Sequence, residues 1–307
     1  LSSTAAGNCA LRAGSPPVLL PNTACLVSQR RTDSAVSYLA SLEYKFDRDI
    51  LLYLKTSRGY RAGGFNLRGT TPDTYGPFAP EFVTDYEVGL KTEFFDRRLR
   101  FNISAFHTNY DDIQRGVLVP NGVGGVATAT INAGKARING LEAELTARPV
   151  DGLLLSGTLG LTDAKYREFN SACPANYPPT AAAPCVNGIF SRVGEDFERV
   201  PSVTWSLAAS YTVPVPLGSA TFRADYSHQS ATQQVGLTQT LTPDLTQFVR
   251  QAGYGLLNAR ISWDIEKPDM SIAAYARNLT KTKYYNYQLD LVNACLGAQY
   301  SGRRELN

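Results

Sequence analysis

Apolar and polar positions alternate along most of this chain, segment after segment. Residues 84–94 place Tyr86, Val88, Leu90 and Phe94 on one side, and Asp85, Glu87, Lys91 and Glu93 on the other. Residues 141–148 set Leu141, Ala143, Leu145 and Ala147 against Glu142, Glu144, Thr146 and Arg148. The same holds for Val203, Trp205, Leu207, Ala209, Tyr211 and Val213 against Thr204, Ser206, Ser210 and Thr212. Ala220, Phe222, Ala224 and Tyr226 likewise oppose Thr221, Arg223, Asp225 and Ser227. Side chains of a strand have a period of two, so each segment has one apolar and one polar face. Ten segments read as strands: 36–46, 50–60, 84–94, 99–112, 129–147, 153–165, 202–213, 219–229, 254–264 and 270–280. In 50–60 either Leu52 and Leu54 or Leu51 and Tyr53 could take the apolar side, and 270–280 is equally open.

The connectors between these segments alternate in length. Those at 47–49, 95–98, 148–152, 214–218 and 265–269 are three to five residues long. Those at 61–83, 113–128, 166–201 and 230–253 run from sixteen to thirty-six residues. A soluble sandwich has no reason to sort its loops by length onto two ends. A membrane β-barrel does, with tight periplasmic turns and long extracellular loops. Alternation alone fits both architectures. With the loop asymmetry, and with segments near the ~9–11 residues that cross a bilayer, it favours an all-β, antiparallel transmembrane β-barrel portion. The expected division is a loop segment at 1–35, barrel wall at 36–280, and a last loop with a truncated end at 281–307.

Composition sharpens this picture in three places. No run of ~18 apolar residues occurs, so no transmembrane helix is expected, while a barrel strand is half polar and escapes that test. The net charge of +3 is small and its bearers are interleaved along the strands, which argues against a nucleic-acid partner. The seventeen Tyr and thirteen Phe weigh more. Tyr44, Tyr53, Tyr60, Phe94, Phe95, Tyr110, Trp205, Tyr211, Tyr226 and Trp263 fall within or near strand ends, where interfacial aromatic girdles would place them. Simple β-propensity would also collect aromatics in strands. The chain opens at Leu1 with no Met and no signal-peptide pattern, which for a barrel suggests a fragment or a mature-numbered piece.

Cys9 and Cys25 lie before the first strand, and Cys173 and Cys185 within the longest loop. Each pair is close in sequence and in a predicted extracellular segment, so both are disulfide candidates, with Cys295 left over. Neither pair has a neighbouring His, and no metal site or cofactor is expected. His107 and His228 are the two histidines, and alternation puts both on the apolar side near strand ends. That leaves no proton-transfer pair, and no catalytic residue is expected. The glycines of NGVGG at 121–125 suit a surface turn.

Six stretches carry a family resemblance. They are TSRGYRAGGFN (56–66), TDYEVGLKTEFF (84–95), RLRFNISAFHTNYDDIQ (98–114), NAGKARINGLEAELTARP (132–149), AYARNLTKTKYYNYQ (274–288) and QYSGRRELN (299–307). In this order and spacing the chain resembles the C-terminal part of the barrel of TonB-dependent outer-membrane receptors, the iron-complex branch. The resemblance runs from about residue 34 to 303. It implies a 22-stranded barrel plugged by an N-terminal domain, whose short box meets TonB, and a ferric siderophore or similar chelate as ligand. The ten segments then resemble strands twelve to twenty-one of such a barrel. The plug, the TonB box and the usual last strand are not seen in these residues. Outer-membrane lipid, the rest of the barrel with its plug, TonB and the chelate are the implied partners, in the outer membrane of a Gram-negative bacterium.

For a ligand at the long-loop mouth, the candidates are Arg58, Tyr60, Arg61 and Phe65, then Tyr110 and Arg115, then Tyr166, Arg167 and Arg192. Guanidinium groups suit anionic chelates, and flat rings stack on their aromatic parts. Glu87, Glu93, Glu142, Glu144, Arg148, Arg223, Asp225 and Arg260 are expected to line the lumen. The competing readings are a ten-stranded outer-membrane protease barrel and a soluble β-sandwich or adhesin. A sandwich would bury Leu141, Leu145, Trp205 and Leu207 in a dry interior.

Overall fold

The computed structural model describes residues 3–4, 8–9, 12–13, 18–19, 29–66, 76–120, 126–172, 189–191, 193–194, 196–234, 250–290 and 299–303. Among them there is no helix. Ten strands form a single sheet: β1 Tyr38–Lys45, β2 Ile50–Arg61, β3 Glu81–Phe94, β4 Leu99–Asp111, β5 Lys135–Ala147, β6 Leu153–Glu168, β7 Val203–Val215, β8 Gly218–Gln229, β9 Tyr254–Ile265 and β10 Met270–Ala276. Each pairs antiparallel with the next in chain order, so the sheet is an uninterrupted meander with β1 and β10 at its edges.

Direct cross-strand partners share a face, and the register therefore sorts the whole sheet at once. Leu42, Leu54, Val88, Ala105, Leu141, Leu161 and Val203 form one continuous rung. Leu155, Ala209, Ala224, Ala259 and Ala276 form another on the same face. The opposite face carries Lys55 beside Glu87, and Lys91, Asn102, Glu144 and Thr158 in sequence across four strands. This settles both open segments. Leu52 and Leu54 take the apolar face and Tyr53 the polar one, while Met270, Ile272 and Ala274 pair with Ile265, Trp263 and Ile261 on the apolar face.

Among the described residues the apolar face has no second layer against it. Leu207 is 58% exposed, Ile261 53% and Leu145 40%, values that no sandwich interior would allow. The buried apolar cluster lies instead at one end of the sheet, around Ile113, Tyr166, Phe169 and Phe197.

The two ends differ as expected from the connector lengths. At the turn end the connectors are 46–49, 95–98, 148–152, 216–217 and 266–269. The second is a run of three left-handed residues, Phe95, Asp96 and Arg97, closed by the Arg98 N–H donating to the Phe95 carbonyl at 3.0 Å. Strands β7 and β8 run past the expected ends at 213 and 219, and Pro214 sits at the rim, opposite Ser219, where it loses only one ladder donor. At the other end lie the long connectors 62–80, 112–134, 169–202 and 230–253.

One difference from the sequence reading occurs there. The single strand expected at 129–147 is two strands, Val126–Asn132 and β5, and the first of these pairs with Gln114–Pro120 as a separate hairpin. The break is at Gly134, whose φ of +100° is open to glycine. A Cβ there would lie 2.2 Å from the Glu168 carbonyl oxygen. The aromatic reading also needs correction. Tyr44, Trp205, Tyr226, Tyr211 and Trp263 lie on the apolar face, but Tyr53 and Tyr110 lie on the polar one. Tyr53 donates its hydroxyl to Glu87 Oε1 at 2.5 Å and lies flat over Gly89, where a side chain would collide with its ring.

Candidate functional site

The polar face is a wall of paired charges. Lys55 meets the same Glu87 that accepts from Tyr53, and Lys91 sits 5.4 Å above the Tyr53 ring. Arg100 donates twice to Glu93 Oε1, at 2.6 and 3.0 Å, and Arg97 approaches its other oxygen at 3.3 Å. Asp225 accepts from Asn258 at 2.8 Å and faces Arg223 at 3.7 Å. Arg223 and Arg260 are direct cross-strand partners, a repulsive pairing that the Asp225 carboxylate offsets. Glu142 and Glu144 are exposed on this face, and the Arg148 N–H donates to the Arg98 carbonyl at the turn end. Among the described residues nothing on this face sets up a nucleophile beside a base.

The long-loop end is built differently. Three side-chain amides knit its segments together. Gln114 Nε2 donates to the carbonyls of Ala62 and Ala79, and its backbone N–H donates to Glu81 Oε2 at 2.7 Å. Asn132 accepts from the Ala79 N–H at 2.6 Å and donates to the Ala79 and Asp112 carbonyls. Asn66 exchanges two bonds with the Thr130 backbone. These tie the 114–132 hairpin to the first long connector.

The hairpin then carries Arg115 over the end of β6. Strand β6 outruns β7, and its free rim is met by Gly194, Asp196 and Phe197: Gly194 N–H donates to the Tyr166 carbonyl and Phe197 N–H to the Ala164 carbonyl. This seats Phe197 against Tyr166 with ring centroids 4.6 Å apart, and Phe169 packs on Tyr166 at 4.8 Å. The Arg115 guanidinium lies 4.5 Å from the Phe197 ring and 5.5 Å from that of Tyr166. Its Nε is buried and has no acceptor, and Arg115 makes no ion pair among the described residues. Phe197 also borders a polar cleft of about 500 Å³ whose lining includes Asp163, Lys165, Asp196 and Gln233. Gln233 Nε2 is a second buried donor without an acceptor.

The nine mouth candidates therefore scatter. Arg115, Tyr166 and Tyr110 converge on the aromatic cluster, with Tyr166 only 5% exposed, so its ring serves as a packed support. Arg61 is on the polar face, 3.9 Å from Glu81, and Phe65 belongs to a two-residue ladder opposite Pro77. Arg58 and Tyr60 do not face the mouth. Both share the apolar face with Leu54, one strand period apart, and both lie against Phe82. Arg167 is exposed beyond Tyr166. Arg192, Cys25, Cys173, Cys185 and Cys295 lie outside the described residues, and of Cys9 only its place in a short ladder opposite Ser3 is described. Phe197 and Gln233 carry no sequence signal, since the connectors 169–202 and 230–253 that hold them have no periodicity to read.

The histidines stay away from these groups. His107 lies beside Tyr86 with its Nδ1 2.7 Å from Asn139 Oδ1, and His228 stacks on Trp205 at 5.6 Å. Among the described residues no group of His, Cys, Asp and Glu could hold a metal ion.

Gly134 is the joint between this hairpin and the wall. Gly134→Val is expected to detach the hairpin, because the new side chain must displace the Glu168 backbone. Limited trypsin digestion would then cut at Arg115 in the variant and spare it in the parent. An unchanged digest would show that the joint is looser than its geometry.

Comparison with other proteins gives both sequence and structural matches. The ferric-pyoverdine M114 receptor PbuA of Pseudomonas sp. (strain M114) is 26% identical over 201 residues, 66% of this chain and 21% of that receptor. The chain thus spans about a fifth of that relative's length. The ferric yersiniabactin uptake receptor FyuA of Yersinia pestis superposes with a TM-score of 0.60 at 20% identity, over 82% of this chain and 33% of that one. The ferric-catecholate import receptor Fiu of E. coli K12 gives 0.61 at 14% identity, over 94% of this chain and 35% of that one. The sheet is accordingly a portion of an antiparallel transmembrane β-barrel, its apolar face toward lipid. Residues 15–279 match the family described as TonB dependent receptor-like, beta-barrel, and the chain belongs to that family of Gram-negative outer-membrane receptors.

Proposed function

We propose that this chain is part of the barrel wall of an outer-membrane receptor that takes up a ferric siderophore or a similar anionic chelate, driven through a plug that meets TonB. The observation that carries the ligand class is the Arg115 guanidinium, held against Phe197 and Tyr166 at the long-loop end without a carboxylate partner among the described residues. A desolvated cation with its acceptor missing favours a ligand that brings negative charge. The Gln233 donor nearby, also unpaired, favours one rich in oxygen acceptors. The Glu87, Glu93, Glu142, Glu144, Arg148, Arg223, Asp225 and Arg260 wall suits a hydrated bore that packs against a plug. An enzyme reading finds less support, because His107 and His228 sit on the lipid side, across the sheet from these carboxylates.

Arg115→Ala in the intact receptor is expected to weaken binding of a ferric chelate about tenfold, roughly 1.4 kcal/mol. Arg115→Lys should recover part of this, since it restores charge without the planar stack. Radio-iron binding and uptake, run with hydroxamate, catecholate and carboxylate chelates, would read both effects. Wild-type affinity of Arg115→Ala for every chelate the receptor imports would remove Arg115 from the site.

A further inference from the structure

Gln114 and Arg115 are consecutive residues of the strand Gln114–Pro120, and their side chains leave it in opposite directions. Gln114 turns toward the first long connector and is only 8% exposed. Its amide gives both hydrogens to that connector, at 2.9 Å to the Ala62 carbonyl and 3.0 Å to the Ala79 carbonyl. Ala62 follows β2 directly and Ala79 lies just before β3, so one side chain bridges the two limbs of the connector. Asn132, the direct partner of Gln114 across the hairpin, holds Ala79 through both its N–H and its carbonyl. Beside Ala62, the Gly63 N–H donates to Asp33 Oδ2 at 3.0 Å, and Asp33 is paired with Arg31 at 2.7 Å.

Arg115 leaves the same strand toward the third long connector, onto Phe197 and Tyr166. Its Nε has no acceptor among the described residues. A ring face attracts a cation without a directional bond, so the contact tolerates sliding. The pose of the guanidinium therefore follows the backbone that carries it. That backbone stands on a bend, where Asp112 and Gly134 are both left-handed, with φ of +55° and +100°. Ile113 fixes the foot of the hairpin, donating to the Gly134 carbonyl at 3.0 Å and accepting from the Ala133 N–H at 2.7 Å. Those bonds lie at the pivot and leave the lean of the hairpin to its side-chain ties, of which Gln114 is the one next to Arg115.

We infer that Gln114 is a positioning residue for chelate recognition. It faces away from the ligand, and its amide holds Arg115 in the pose that rests the guanidinium on Phe197 with its charge unpaired. The inference rests on the reading of Arg115 as the group that meets the anion. Binding groups work when neighbouring packing and hydrogen bonds hold them within about 0.5 Å of their productive place. A hairpin on a two-residue pivot keeps that tolerance through its amide tie. The first long connector thereby enters recognition through Gln114. A purely structural role would make the amide matter equally with and without Arg115, whereas a positioning role makes its effect vanish when Arg115 is gone.

The test is a double-mutant cycle in the intact receptor, with Gln114→Met, Arg115→Ala and the two combined. Gln114→Met keeps the length of the side chain and removes both donors. Gln114→Glu, a second variant of the same shape, sets a carboxylate against the two carbonyls. All are first checked for a heat-modifiable folded band. Binding of radio-iron complexes of a catecholate, a hydroxamate and a carboxylate chelator should weaken about fivefold in Gln114→Met for the complex the receptor takes. Adding Gln114→Met to Arg115→Ala should weaken it no further, and Gln114→Glu should behave alike in both backgrounds. Without ligand, phenylglyoxal modification of Arg115, mapped by peptide mass spectrometry, should run about threefold faster in Gln114→Met, because the guanidinium leaves its rings. The same loss of binding with and without Arg115, or an unchanged modification rate, would overturn the assignment. Full affinity in Arg115→Ala would instead remove the chelate reading, and the ligand-free rate tells the two failures apart.

Discussion

A preparation of this chain alone, refolded into lipid vesicles, is expected to give no heat-modifiable, protease-resistant species. The reason is the two edges of the sheet. Strands β1 and β10 are exposed at every position, and neither pairs with the other. In an antiparallel ladder alternate residues turn their polar groups to the same side, so a spanning edge leaves about four to five N–H and C=O pairs open. Each unsatisfied group in hydrocarbon costs several kcal/mol. Two edges together cost tens of kcal/mol, well above the ~5–15 kcal/mol by which folded domains outlast their unfolded states. The edges are not protected in the manner of soluble sheets, since Leu39, Leu42, Tyr44, Met270 and Ile272 are apolar and exposed. The same residues expressed between the flanking strands of an intact receptor should become resistant to trypsin and shift on heating. A compact, resistant band from the isolated chain would mean that the edges find partners, by closure or by pairing between copies.

The second large effect separates two neighbouring residues. Leu141 is mid-way along β5 on the apolar rung between Ala105 and Leu161, and Glu142 points to the opposite face beside Ser104 and Gly160. Leu141→Arg in the intact receptor should cost ~2–4 kcal/mol, the depth-dependent cost of a cation at the bilayer mid-plane. Glu142→Arg should change stability by less than ~0.5 kcal/mol, because a hydrated face absorbs a change of sign. Urea unfolding followed by the loss of the heat-modifiable band would measure both. Equal costs at the two positions would contradict the lipid-and-bore arrangement of the wall.

Much of the fold was legible because it repeats. Alternation at Asp85–Phe94, Leu141–Arg148 and Val203–Val213 located strands to within a few residues, and connector length told the two ends apart. Errors gathered where the repeat fades. Residues 114–120 and 126–132 form a hairpin, yet they read as loop and strand, although the alternation slips by one position at Gly134, from Ile131 and Ala133 to Ala136 and Ile138, where the chain bends. Arg58 reads as a mouth residue because the apolar side of 50–60 is open in the sequence, and only the register puts it with Leu52 and Leu54.

The sequence by itself determined most of the sheet's strands, the apolar face of those that alternate cleanly, and which ends carry the long loops. A period of two is a local property, and it survives in one dimension. Only the tertiary structure decided the register that turns separate faces into continuous rungs. It also brought Arg115 onto Phe197 and Tyr166, and set Arg58 in line with Arg137. Those meetings depend on how far each strand outruns its neighbour and on where the chain turns back, which are set by the sum of many weak pairings and leave no short-range trace.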